Sequence, residues 1–89
     1  MLALEQTKAF KKCLKKYRHK KSVLKELKAV VEVLVNEKSI PQKYRDHDLK
    51  GNHKGIRELH LKPDDLLLYV KITGKTITLA AWGSHAELF

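Results

Sequence analysis

Three histidines carry the chemistry this sequence could perform. His60 follows Glu58 by two residues in "IRELHLK", and Asp64 comes next in "KPDD". Side chains at i and i+2 of a strand share a face. Glu58 and His60 therefore stand together, on the face opposite Leu59 and Leu61, with Asp64 in the turn at the strand end. A histidine beside a carboxylate is the minimum equipment for general acid–base catalysis near neutral pH. The same pair also fits a half-exposed sheet surface with no reaction to run. His47, between Asp46 and Asp48 in "RDHDLKG", and His85, in "GSHAELF" before the final Phe89, each read alone as ordinary polar loop residues. His19 lies in a basic helix and His53 in "GNHKG"; both read as surface positions, with His53 able to meet a phosphate.

Competing chemistries have less support. Three histidines and an aspartate could in principle hold zinc, but no tight spacing such as HxxxH or CxxC occurs, so no metal and no other cofactor is expected. Cys13 falls on an apolar helical stripe and reads as core rather than nucleophile. There is no glycine-rich phosphate loop and no GxSxG elbow.

The elements that must position these residues are legible from periodicity. "TKAFKKCLKKYRHK" places Ala9, Phe10, Cys13, Leu14 and Tyr17 at helical spacing, with cations on the other face. "SVLKELKAVVEVLVNEK" has a longer stripe, Val23, Leu24, Leu27, Val30, Val31, Leu34 and Val35, with Ser22 as the expected N-cap. The opening "LALEQ" suits a short strand, and "NEKSIPQKYRDHDLKGNHKG" reads as a long connection. From Ile56 the period becomes two: "IRELHLK", a "KPDD" turn, the apolar strand "LLLYVKI", a "TGK" hairpin loop and the strand "TITLAAW". Helices followed by consecutive strands predict an α+β fold, with two N-terminal helices on one face of a small antiparallel sheet.

The chain of 89 residues is expected to be one domain, 1–89. Its single cysteine cannot bridge internally, and no apolar run approaches the roughly 18–20 residues of a membrane span. The start lacks a basic-then-apolar signal layout, so a soluble, cytoplasmic protein with no membrane partner is expected. Net charge is +9, from 19 Lys+Arg against 10 Asp+Glu. Residues 1–30 hold ten Lys/Arg and two Glu (+8), and residues 31–89 hold nine Lys/Arg and eight Asp/Glu (+1). So dense a cationic segment points to a polyanion partner, with salt-sensitive binding.

"DHDLKG", "RELHLKPDDLLLYV" and "GSHAELF" together resemble the RelE/ParE toxin superfamily, and within it the YafQ branch of endoribonuclease toxins. The resemblance covers essentially the whole chain. It implies a toxin of a type II toxin–antitoxin system that cleaves messenger RNA, typically on the ribosome, without a metal. The ribose 2′-OH would attack the adjacent phosphate and leave a 2′,3′-cyclic phosphate. It also implies a cognate antitoxin that blocks the toxin, with operator DNA bound only through the antitoxin complex. Carried onto this chain, the catalytic residues are His47, His60, Asp64 and His85, and Phe89 would stack on a base. Imidazoles, with an ordinary pKa near ~6.5, suit the base and acid roles. Glu58, Lys50, Lys54 and Arg57 are expected substrate contacts around them.

One position departs from the family pattern. An arginine is usual four residues before the last histidine; here stands Ala81. Losing one preorganised donor to the transition state costs roughly 10²–10³ in rate. A naturally weak enzyme, a substitute cation such as Arg57 or Lys50, and a replaced residue all remain open. The rival reading is a non-enzymatic ParE-like protein, the ParE side acting on DNA gyrase, or a simple nucleic-acid binder. ParE-like function does not call for three histidines, whereas for a simple binder the basic helices would suffice and His60 would be structural.

Overall fold

The computed structural model describes residues 1–51 and 55–89, and of residues 71–73 the backbone only. Its elements are β1 (Ala3–Gln6), α1 (Lys8–Lys16), α2 (Lys21–Val35), a 3₁₀ turn (Gln42–Tyr44), β2 (His47–Asp48), β3 (Arg57–Lys62), β4 (Asp65–Thr73), β5 (Thr76–Gly83) and α3 (His85–Leu88). The five strands form one sheet in the order β1-β5-β4-β3-β2.

The sheet is mixed rather than purely antiparallel as expected. β1 runs parallel to β5, with Ala3 beside Thr76 and Gln6 beside Leu79. A parallel partner needs a crossover of a dozen residues or more, and here α1 to β4 supply it. The expected hairpins β3–β4 and β4–β5 are antiparallel.

Thr7 starts α1, its hydroxyl accepting from the Phe10 N–H at 3.0 Å and donating to the Ala80 carbonyl at 2.6 Å. One side chain thus caps the helix and ties it to β5. Lys15 and Lys16 fall in the last turn, where cations suit the helix dipole. In α2 the buried residues are Val23, Leu27, Val30 and Leu34, the stripe that a 3.6-residue period predicts. Its start differs from expectation: Lys20 occupies the N-cap without a side-chain bond, and Ser22 lies inside the first turn.

Both helical stripes join one core. Phe10 and Tyr17 of the first helical segment and the buried α2 residues cluster with Leu59, Leu61, Leu67, Tyr69, Ile77, Leu79 and Trp82 of the sheet. Cys13 packs partly buried against that cluster, as a core residue would. β4 is central and buried on both sides: Leu67 and Tyr69 belong to the core, while Leu66 and Leu68 alternate with them and are also buried. Glu58 and His60 pair with Leu68 and Leu66, so they too point away from the core cluster.

Candidate active site

The connection before β3 contains the element that completes the site. β2 is two residues long, and it pairs antiparallel with β3 so that His47 lies opposite Glu58 and Asp48 opposite Arg57. Directly paired residues share a face. His47 therefore joins Glu58, and His60 follows two residues along. His47 Nε2 lies 3.2 Å from Glu58 Oε1, His60 Nε2 lies 3.6 Å from the same oxygen, and the two rings are 6.2 Å apart.

Glu58 is 6% exposed. Removing a carboxylate from water is costly unless it is paired. Its neighbours here are two imidazoles, groups that can give and take protons. Glu58 is thus placed between the histidines rather than as an open substrate contact. The Nδ1 of His47 lies 2.6 Å from the Arg45 carbonyl. A carbonyl only accepts, so Nδ1 is the donor in that bond, and Nε2 is the nitrogen turned to Glu58.

On the other side of the same strand pair a clamp fixes β2. Arg57 grips Asp46 through Nη2 at 2.7 Å and Nε at 3.3 Å, and holds Asp48 through Nη1 at 2.7 Å. The Tyr69 hydroxyl donates to Asp46 at 2.5 Å. Asp46 raises the Arg57 pKa above its ordinary value. Burial, then the bond to Asp46, raises that of the Tyr69 hydroxyl. Arg57 was expected to meet substrate phosphate; the structure instead commits it to the two aspartates flanking His47.

Ala81 sits in register with Leu68, which pairs with Glu58, which pairs with His47. The four form one cross-strand row, so a longer side chain at 81 would extend from the face that carries the cluster.

The C-terminal segment is ordered by different means. Ser84 caps α3, accepting from the Glu87 N–H at 3.2 Å, while Glu87 accepts from the Ser84 N–H at 3.0 Å, a complete capping box. The other Glu87 carboxylate oxygen accepts from Lys16 Nζ at 2.7 Å and from the Tyr17 hydroxyl. These bonds, Lys16 first, hold the Glu87 pKa well below the usual carboxylate range. Tyr17 packs on Trp82 with ring centres 5.1 Å apart, which joins the latch to the core.

His85 is exposed, and its N–H reaches Asp64 Oδ1 at 3.4 Å. Asp64 therefore contacts the backbone of the segment that carries His85. The Phe89 ring lies 5.0 Å from that of His85 and is 49% exposed. The tail is thus folded onto the protein as expected, but its last ring stacks on His85 instead of burying against the sheet. Lys50 is exposed beyond β2. His53 and Lys54 lie outside the described residues.

Strand pairing also creates what sequence spacing hid: His47, Glu58 and His60 offer ligand atoms all within 4.8 Å of one another, a set able to hold a metal ion. Among the described residues no helix is long and apolar enough to cross a membrane.

Solved structures of this architecture include bacterial toxins. The chain is 47% identical to a metal-bound toxin from Helicobacter pylori, covering 100% of both chains with a TM-score of 0.90. It is 32% identical to a chain of the Escherichia coli DinJ–YafQ complex, covering 100% of this chain and 99% of that one with a TM-score of 0.87. Among curated proteins it is 40% identical over 73 residues to the mRNA interferase toxin YafQ of E. coli K12, or 81% of this chain and 76% of the relative. The family model for the bacterial toxin YafQ of type II toxin–antitoxin systems matches residues 2–89. The chain belongs to the YafQ family of type II toxin–antitoxin toxins.

Proposed function

We propose that this toxin is an endoribonuclease that cleaves messenger RNA on the ribosome, in the cytoplasm, by acid–base chemistry that needs no metal. The observation that carries the reading is the buried Glu58 carboxylate held between His47 and His60. Cleavage requires a base to take the proton from a ribose 2′-OH as its oxygen attacks the adjacent phosphorus. It also requires an acid to protonate the departing 5′-oxygen. The products are a 2′,3′-cyclic phosphate and a free 5′-OH. Two imidazoles sharing one carboxylate can serve in these two roles and return the proton between turnovers. His85 and Phe89 would close over the substrate from the tail, with the ring stacked on a base. Asp64 would hold that tail in place. A cognate antitoxin, as DinJ is to YafQ, would cover this basic protein and inhibit it. The complex, rather than the toxin alone, would contact operator DNA.

A second reading concerns the same three side chains. Their spacing and the metal-bound H. pylori relative support binding of a divalent transition ion by His47, Glu58 and His60. The bond from His47 Nδ1 to a carbonyl is the outer partner that metal-binding imidazoles commonly have. An ion there would occupy the nitrogens that catalysis needs, and so inhibit. RNA cleavage by the purified protein, with and without translating ribosomes, tests both readings. Cleavage should persist in EDTA, yield cyclic-phosphate ends, fall on adding zinc, and drop by about 10²–10⁴ in His60→Ala. Equal cleavage by His60→Ala would refute the ribonuclease assignment, and activity restored rather than suppressed by zinc would refute metal independence.

A further inference from the structure

His60 forms one wall of a cavity of about 360 Å³ between the 3₁₀ turn and the end of β3. That volume lies within the range of small-ligand sites. Lys43, Arg45 and Lys62 line it, against one carboxylate, Glu26. Glu26 is already engaged: the Tyr44 hydroxyl donates to it at 2.6 Å, and Lys43 Nζ lies 4.0 Å away. Arg45 and Lys62 form no ion pair among the described residues. The cavity therefore presents surplus positive charge beside an imidazole of the reaction centre.

Arg45 links the two places. Its backbone is left-handed, with φ at 49°, and its carbonyl accepts from His47 Nδ1. Arg45 also lines the cavity and is exposed. One residue thus orients a histidine with its main chain and offers a guanidinium to an anion next door. Guanidinium and ammonium groups are the usual phosphate partners, and such contacts set the register of a bound nucleic acid.

We propose that this cavity is a subsite for the phosphate of the nucleotide flanking the scissile linkage in single-stranded RNA, held by Lys62 and Arg45. The inference rests on the ribonuclease reading and gives that site its substrate register. The general attraction of the lysine-rich α1 contributes affinity without register; the cavity contributes register.

The test is binding, read by fluorescence anisotropy, of short 2′-O-methyl RNAs, which lack the attacking hydroxyl and cannot be cleaved by this route. In each, one linkage is a neutral methylphosphonate. For the unaltered protein, one position should weaken binding by about tenfold, as loss of a charge-assisted contact does. In Lys62→Gln and in Arg45→Gln, which keeps its carbonyl, that position should lose its special effect. Uniform weakening at every linkage, the same in all three proteins, would overturn the proposal, as would unchanged affinity in both variants. Failure of the ribonuclease reading would show separately, as intact ordinary RNA alongside the position-specific pattern.

Discussion

The strand cluster and the C-terminal tail both bring histidines to the candidate site, but they are held in opposite ways. His47, Glu58 and His60 are placed by backbone register, reinforced behind by Arg57 on two aspartates. His85 and Phe89 ride on a one-turn helix held at Glu87 by Lys16 and Tyr17, with a longer contact from the His85 N–H to Asp64. Backbone pairing places the first set. A few side-chain bonds place the second, and only while they hold. The difference suggests a division of labour, with chemistry on the rigid part and substrate closure on the releasable part.

The largest effect should come from breaking the rigid part. His60→Ala should lower RNA cleavage by about 10²–10⁴ while leaving RNA affinity in a binding assay nearly unchanged. A matched loss of binding would mean that His60 anchors substrate instead.

Adding to the rigid part should work in the opposite direction. Ala81→Arg, in the same cross-strand row as His47 and Glu58, should raise cleavage by about 10²–10³. An unchanged single-turnover rate would show that the row does not face the transition state.

Releasing the latch should cost less. Glu87→Gln, which keeps the size but not the charge, should lower cleavage by about 10–100-fold through misplacement of His85, with little change in overall fold by circular dichroism. Glu87 has a depressed pKa, so its contribution to stability is present above the ordinary carboxylate value of ~4.3 and is lost as pH falls through the lower folded value. The melting-temperature gap between the unaltered protein and Glu87→Gln should hold constant from about pH 5 to 8 and close only in stronger acid. A gap that closes at neutral pH would contradict the latch.

The smallest effect on rate, and a measurable one on stability, should follow Arg57→Gln. Leaving Asp46 and Asp48 without their cation should cost about 1–3 kcal/mol in urea unfolding. Cleavage should fall more than in a control at an exposed lysine outside the site, such as Lys38→Gln, because β2 has only two residues of pairing to hold His47.

The sequence makes some of this legible and hides the rest for physical reasons. Both helices and β3 to β5 follow from periods of 3.6 and two, which long elements express clearly. The face shared by Glu58 and His60 follows from the same alternation. β2 is too short to show any period, so the burial of Glu58 and the arrival of His47 beside it are invisible without the pairing. The metal-capable set is hidden likewise, since its ligands come from paired strands and not from one spaced motif. Arg57 looks like a free cation because its partners lie across that unrecognised pairing. The parallel partner of β1 is a choice between two sheet edges, which local pattern does not encode. Ser22 is a good cap by type, yet the N-cap of α2 falls two residues earlier, on Lys20.

The central claim is that strand register makes His47 and His60 act as one unit through Glu58. A double-mutant cycle on single-turnover RNA cleavage in EDTA tests it most directly, comparing His47→Ala, His60→Ala and the double variant. Groups that act as a unit are strongly non-additive. The double variant should therefore be no slower than the worse single variant. A double variant whose loss equals the product of the two single losses would contradict the account and leave two histidines working independently.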